Sequence, residues 1–141
     1  MSNYKKIEAM LYNYNKTKAE IKNLDIEINY MKSNFEGISG LNLTEKTGKT
    51  YKITSSVENE VINKDKKVKE LEYIRSLKVR EINKIDNAID SLTDREKLLV
   101  KYRYFDRIGN LATANKLELT EQRVSELKKD IIKNIESIII F

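Results

Sequence analysis

Neither cysteine nor histidine occurs in the 141 residues. A zinc centre of the thiolate and imidazole kind, a thiol nucleophile, a Ser-His-Asp triad and a haem ligand of the His or Cys type are thereby excluded. Without cysteine there is no disulfide framework, which fits a reducing compartment. Proline is absent too and glycine occurs only four times, so little interrupts long helices. Extended apolar runs are also missing: the opening MSNYKKIEAM lacks the apolar core of a signal peptide, and the longest apolar run is Ile138–Phe141. These absences predict a cytoplasmic soluble protein that needs no cofactor and makes no membrane contact. Paired carboxylates such as Glu58 with Glu60 and Asp86 with Asp90 read as charged helix surface, because nothing around them suggests a pocket, and no enzyme is expected.

What is present in quantity is charge. Lysine and arginine number 27 against 22 acidic residues, a net charge of +5 with pI ≈ 9.2, which mildly favours a polyanionic partner. The surplus is not concentrated: from Thr93 to Phe141 there are ten basic and eight acidic residues, a net of +2. Electrostatics alone would not nominate that segment as a reader of nucleic acid.

Residues from about Tyr4 to Phe35 carry a seven-residue apolar repeat. Ile7, Tyr14, Ile21, Ile28 and Phe35 form one row, and Met10, Thr17, Leu24 and Met31 the other. Alternating spacings of three and four define a coiled-coil seam. Glu36–Ser56, with Gly37, Gly40 and Gly48 among Asn, Ser and Thr, reads as a long connection. Its Gly48-Lys49-Thr50 does not make a phosphate-binding loop, because Leu43 stands where the preceding glycine belongs. Val57–Ile89 resumes as helix, with Lys64, Arg75 and Lys78 interrupting the seam and Ile74 with Leu77 offering a shifted stripe. Two such helices fold back as an antiparallel hairpin or pair in trans as a homodimer through the N-terminal helices, since a heptad pattern specifies a seam and not whose helix fills it.

Ser91–Asp94 starts a compact domain. Thr93 is placed as an N-cap with Glu96 at the capping-box position. Leu98, Leu99, Tyr102 and Phe105 lie on one face of the next helix, which puts Tyr102 in the core and Tyr104 either partly exposed or against a long helix. Gly109 marks a stop. Leu111–Leu117 and Thr120 to about Ile135 then form two helices around a short turn. Ala114 is small where crossing helices approach, Leu117 and Leu119 bracket the turn, Thr120 is the N-cap, and Val124 with Leu127 make the inner stripe. The remaining residues of that helix present a polar outer face of the kind that lies in a major groove. Ile131, Ile132, Ile135, Ile138 and Ile139 continue an apolar stripe that either packs on the domain or forms an interface.

Asp94–Ile135 resembles the fourth region of bacterial sigma factors. Leu92-Thr93, Arg95-Glu96, Leu98-Leu99 and Tyr102-Arg103-Tyr104 resemble that region's opening, and Leu119–Leu127 (LTEQRVSEL) resembles its recognition segment. The match covers about a third of the chain. With the helical front half, the chain looks like the small phage and prophage late-transcription regulators of the ArpU or RinA type. Where the turn commonly carries glycine, Glu118 stands, which calls for a different turn geometry. The resemblance implies double-stranded DNA as partner, RNA polymerase as a further one, and phage or prophage genes as the target.

The expectation is therefore an all-α protein: residues 1–89 a long helical arm or antiparallel hairpin (helices about 4–35 and 57–89, loop 36–56), and 90–141 a helix-turn-helix domain. Its expected function is sequence-specific transcriptional regulation by the helix after Thr120. Thr120, Glu121, Gln122, Arg123, Ser125, Glu126, Lys128 and Lys129 form the reading face. Gln122 suits adenine, Lys129 phosphate or guanine, and Glu121 or Glu126 the cytosine amino group. Arg123 meets backbone phosphate or salt-bridges a neighbour. Lys101, Arg103, Arg107, Lys116 and Lys128 are candidate phosphate clamps. The second reading is a sigma-like interaction module that binds RNA polymerase or another protein without reading DNA.

Overall fold

The computed structural model describes the backbone of residues 2–44 and 51–141, and the side chains of residues 3–33 and 58–141. Among these residues every regular element is helical, so the chain is all-α as expected. The helices are α1 (Ser2–Tyr12), α2 (Tyr14–Thr44), α3 (Tyr51–Asp90), α4 (Asp94–Val100), α5 (Asn110–Leu117) and α6 (Glu121–Ile138), with a π-helical turn, Lys101–Phe105, continuing α4. Hydrogen bonds run through Asn13, whose N–H donates to the Ala9 carbonyl and whose carbonyl accepts from Thr17 N–H. No described helix is long and apolar enough to cross a membrane.

The connection expected over 36–56 is shorter than the sequence suggests. α2 runs to Thr44 and α3 begins at Tyr51, so helical backbone takes in Gly37 and Gly40. Each glycine costs a helix only about 1 kcal/mol relative to alanine, against about 3 for proline; glycines without proline therefore do not fix an end. The Gly48-Lys49-Thr50 fragment lies outside the described residues.

The chain divides into two compact units, Met1–Lys18 with Val79–Phe141, and Ala19–Lys78. The expected boundary at residue 89 cuts through the first of these. Its core joins Ile7 and Leu11 of α1, Ile85 and Ala88 of α3, Leu99 and Val100 of α4, Ala114 and Leu117 of α5, and Val124, Ile131, Ile132 and Ile135 of α6. α1 thus belongs with α4, α5 and α6. Leu11, outside both seam rows, is as buried as Ile7, because α1 packs a face wider than a two-residue seam. Tyr14 fixes α2 to the end of α3: its hydroxyl donates to Asp86 Oδ1 at 2.5 Å, and its ring stacks on Phe105 at 4.5 Å.

The inner face of the α4 segment differs from the expected one, and the segment continues into a π turn. Asp106 N–H donates to the Lys101 carbonyl, five residues back, at 2.8 Å. Such a turn holds one residue more than an α turn and rotates everything after it. Leu99, Val100 and Tyr104 are the buried residues of this segment, Leu98, ahead of the turn, is exposed, and Tyr102 and Phe105 are half-buried.

In the Ala19–Lys78 unit α2 and α3 run antiparallel within one chain. Lys78 pairs with Glu20 at 3.4 Å, Arg75 with Asp25, and Lys32 with Glu72 at 3.8 Å, so numbering rises on one helix as it falls on the other. Ile28 and Val68 are buried at this seam. Arg75 and Lys78 do not interrupt it: they keep their heptad positions and reach across to carboxylates of α2. Ile74 and Leu77 stay exposed, at 42% and 47%, so the seam does not shift to them.

Candidate nucleic-acid interface

The corner between α5 and α6 is built by backbone conformation and two caps. Glu118 ends α5 in the left-handed region, φ 57 and ψ 44. Its N–H donates to the Asn115 carbonyl at 3.3 Å, and Leu119 N–H donates to the Ala114 carbonyl at 2.8 Å. This is the Schellman pattern that glycine usually serves. Glu118 adopts the geometry of glycine and not another one, at a steric cost of about 1 kcal/mol. Thr120, extended at φ −83 and ψ 158, accepts from Arg123 N–H at 3.1 Å. Such a cap is worth about 1 kcal/mol. At the other end of the domain, Thr93 and Glu96 form the expected capping box on α4.

The corner turns Val124 fully inward and leaves Leu127 half-buried, while Thr120, Glu121, Gln122, Arg123, Glu126 and Lys129 remain exposed and Ser125 and Lys128 lie at the margin. Ala114 and Thr113 are buried where α5 meets its neighbours, and the Thr113 hydroxyl has no hydrogen-bond partner among the described residues. Gln122 and Lys129 make no side-chain hydrogen bond or ion pair to any described residue. Arg123 is engaged by Glu126 Oε2 at 3.2 Å; both side chains are about half exposed, and such a pair is worth well under 1 kcal/mol.

The arginines expected to clamp phosphate are held by the first unit itself. Arg103 Nε donates to Asn110 Oδ1 at 2.7 Å, and its guanidinium lies 5.6 Å from the ring centre of Tyr12. Arg107, left-handed at φ 56, donates from Nη2 to the Tyr12 carbonyl at 2.9 Å and covers the same ring. Tyr104 packs edge-on against Tyr12 at 4.9 Å and donates to Glu8 Oε2 at 2.7 Å. Burial and the Glu8 carboxylate push the Tyr104 hydroxyl far up. Lys128 lies toward this cluster: burial chiefly, then the Arg103 charge, pull its ammonium down, against an opposing effect of Glu8. Lys101 pairs with Asp106 at 3.0 Å, and Lys116, exposed, sits over the Tyr102 ring at 5.2 Å. The part played by Glu8 and Tyr12 is not visible in the sequence, since they stand more than ninety residues from their partners and no local pattern connects them.

The candidate reading residues therefore fall into two sets. The first turns of α6 project Glu121, Gln122, Glu126 and Lys129 outward beside the Thr120 cap, with Lys116 on the exposed side of α5. Arg103 and Arg107 gather where α1 crosses the domain and bind α1 to it, with Lys128 half-buried nearby. A family model described as "Protein of unknown function (DUF722)" matches residues 3–137. No curated protein and no solved structure matches the chain.

Proposed function

We propose that the chain, which belongs to the DUF722 family, is a cytoplasmic, sequence-specific DNA-binding transcriptional regulator of phage or prophage genes. The observation that carries this reading is the corner at Glu118–Thr120: it buries Val124 and leaves Gln122 and Lys129 outward and unengaged. In this reading the start of α6 enters the major groove. Gln122 meets an adenine edge by paired hydrogen bonds, Lys129 and Lys116 meet phosphates, and the free amides at the α6 N-terminus favour a phosphate beside Thr120. Glu121 and Glu126 face cytosine amino groups or repel wrong registers. Arg103 and Arg107 contribute by bracing α1. No chemical step is involved.

Selection from random duplexes, followed by salt titration of the selected site, tests this. Each phosphate neutralised adds about −0.9 to the slope of log affinity against log salt. Lys129→Ala is expected to reduce that slope by about one, and Gln122→Ala to leave it unchanged while costing about 1–3 kcal/mol at one base position. The second reading, a sigma-like module that binds RNA polymerase without reading DNA, draws on the Arg123–Glu126 pair and on the +2 net charge from Thr93 onward. Selection that returns no shared sequence, together with retention on RNA polymerase, would favour it.

A further inference from the structure

Along α6 the outward stripe does not stop at Lys129. Gln122, Glu126, Lys129 and Lys133 recur at spacings of four, three and four. At about 100° per residue they fall within an arc of about 60°, opposite the buried Val124, Ile131 and Ile135. Lys133 is exposed, and its ammonium pairs with no described residue. Gln122 and Lys133 stand about 16 Å apart along the helix axis, whereas the major groove is about 12 Å wide and about 8.5 Å deep. A helix that enters the groove by its first turns therefore carries Lys133 clear of the base edges and level with the sugar-phosphate backbone.

The same turns frame a hollow. Glu126, Lys129, Asp130 and Lys133, at i, i+3, i+4 and i+7, line it on α6, and Tyr4 of α1 lines it from the side. Tyr4 is half-buried, and its hydroxyl donates to no described residue. The Tyr4 ring and the lysine stems give the hollow apolar walls, while lysine ammonium groups on such a surface stay in water. A nucleic-acid strand suits both features: deoxyribose packs against an apolar wall, and each phosphate accepts hydrogen bonds while offering none. Glu126 is already met by Arg123 at 3.2 Å, which leaves two ammonium groups against one carboxylate, Asp130, around the hollow.

We propose that this hollow seats the DNA backbone at the edge of the major groove, with Lys129 and Lys133 on its phosphates and the Tyr4 hydroxyl donating to a phosphate oxygen. α1 then touches the duplex as well as bracing the fold. The proposal rests on the DNA-binding reading and adds Tyr4 and Lys133 to it. A contact of this kind fixes the register of the strand without reading its sequence, and Asp130 weakens it by repelling the same phosphates.

Salt titration of the full chain on its selected duplex and on a scrambled one tests the contact. Lys133→Ala is expected to weaken both alike and to reduce the slope of log affinity against log salt by about one. Tyr4→Phe, which keeps the ring in place, is expected to weaken both by about three- to tenfold at unchanged slope, and Asp130→Asn to tighten both. Lys66→Ala, on an exposed part of α3, serves as the control and changes neither affinity nor slope. A Lys133→Ala chain with the wild-type slope, or a Tyr4→Phe chain with the wild-type affinity, would overturn the contact. If Gln122→Ala still narrows the preference in that case, the DNA-binding reading stands without it. A wild-type chain that binds no duplex would overturn both.

Discussion

The two units hold their helices together by different means. In the first, side chains from five helices converge on Tyr104 and the α6 isoleucines, and Leu99, Val124, Ile131, Ile132 and Ile135 lose all contact with water. Between Ala19 and Lys78 only Ile28 and Val68 are buried among the described hydrophobic residues, and charged pairs across the seam fix which residue faces which. Packing carries the stability of the first unit, whereas charge chiefly sets the register of the second. Half-exposed ion pairs hold a register while adding little stability, so the helix pair has the smaller resistance to unfolding per residue.

The widest gap between the units is expected where a buried isoleucine is cut back. Ile132→Ala removes a fully buried side chain from a crowded core and is expected to cost about 3–4 kcal/mol, while Ile28→Ala, at a two-helix seam that can close over the gap, costs about 2. Denaturant unfolding of both variants measures the difference, and equal losses would erase the distinction. Glu118→Gly is expected to stabilise the first unit by about 0.5–1 kcal/mol, because glycine relieves the left-handed strain and gives part of that back as unfolded-chain entropy. Arg75→Ala should cost about 0.5 kcal/mol or less; a loss of several kcal/mol would mean that charge supports the seam as strongly as packing supports the core.

The smallest effect concerns pH. Burial, then the hydrogen bond to Asp86, pushes the Tyr14 hydroxyl up to about 12 from 10.0. The native state therefore keeps its proton over a range in which the unfolded chain has lost it. That contribution is fully present below pH 10 and is lost as pH rises from about 10 to about 12. Tyr14→Phe should flatten the stability profile over that window, with tyrosinate absorbance following the titration.

Much of this architecture is legible locally. The heptad rows foretell α2, the Thr93 and Thr120 caps lie one residue before the helices they start, and Val124 points inward as its spacing requires. What escapes the sequence involves either an exception to periodicity or a distant partner. Past Val100 the chain winds as a π turn, which nothing in KYRYF announces, and Tyr104 rather than Tyr102 faces the core. Arg75 and Lys78 look like breaks in a seam until Asp25 and Glu20 are seen opposite them. The attachment of α1 depends on Glu8 and Tyr12 meeting residues at the far end of the chain. For the candidate interface, spacing identifies the outward face of α6, whereas the engagement of Arg103 and Arg107 by α1 becomes visible only in three dimensions.

If the start of α6 reads base edges, the full chain must prefer its selected duplex over a scrambled one, and that preference measures the proposed role most directly. The wild-type chain is expected to discriminate between the two, and Gln122→Ala to narrow that preference by about tenfold or more at unchanged salt. A chain that binds both duplexes alike, or whose preference survives Gln122→Ala intact, would contradict it.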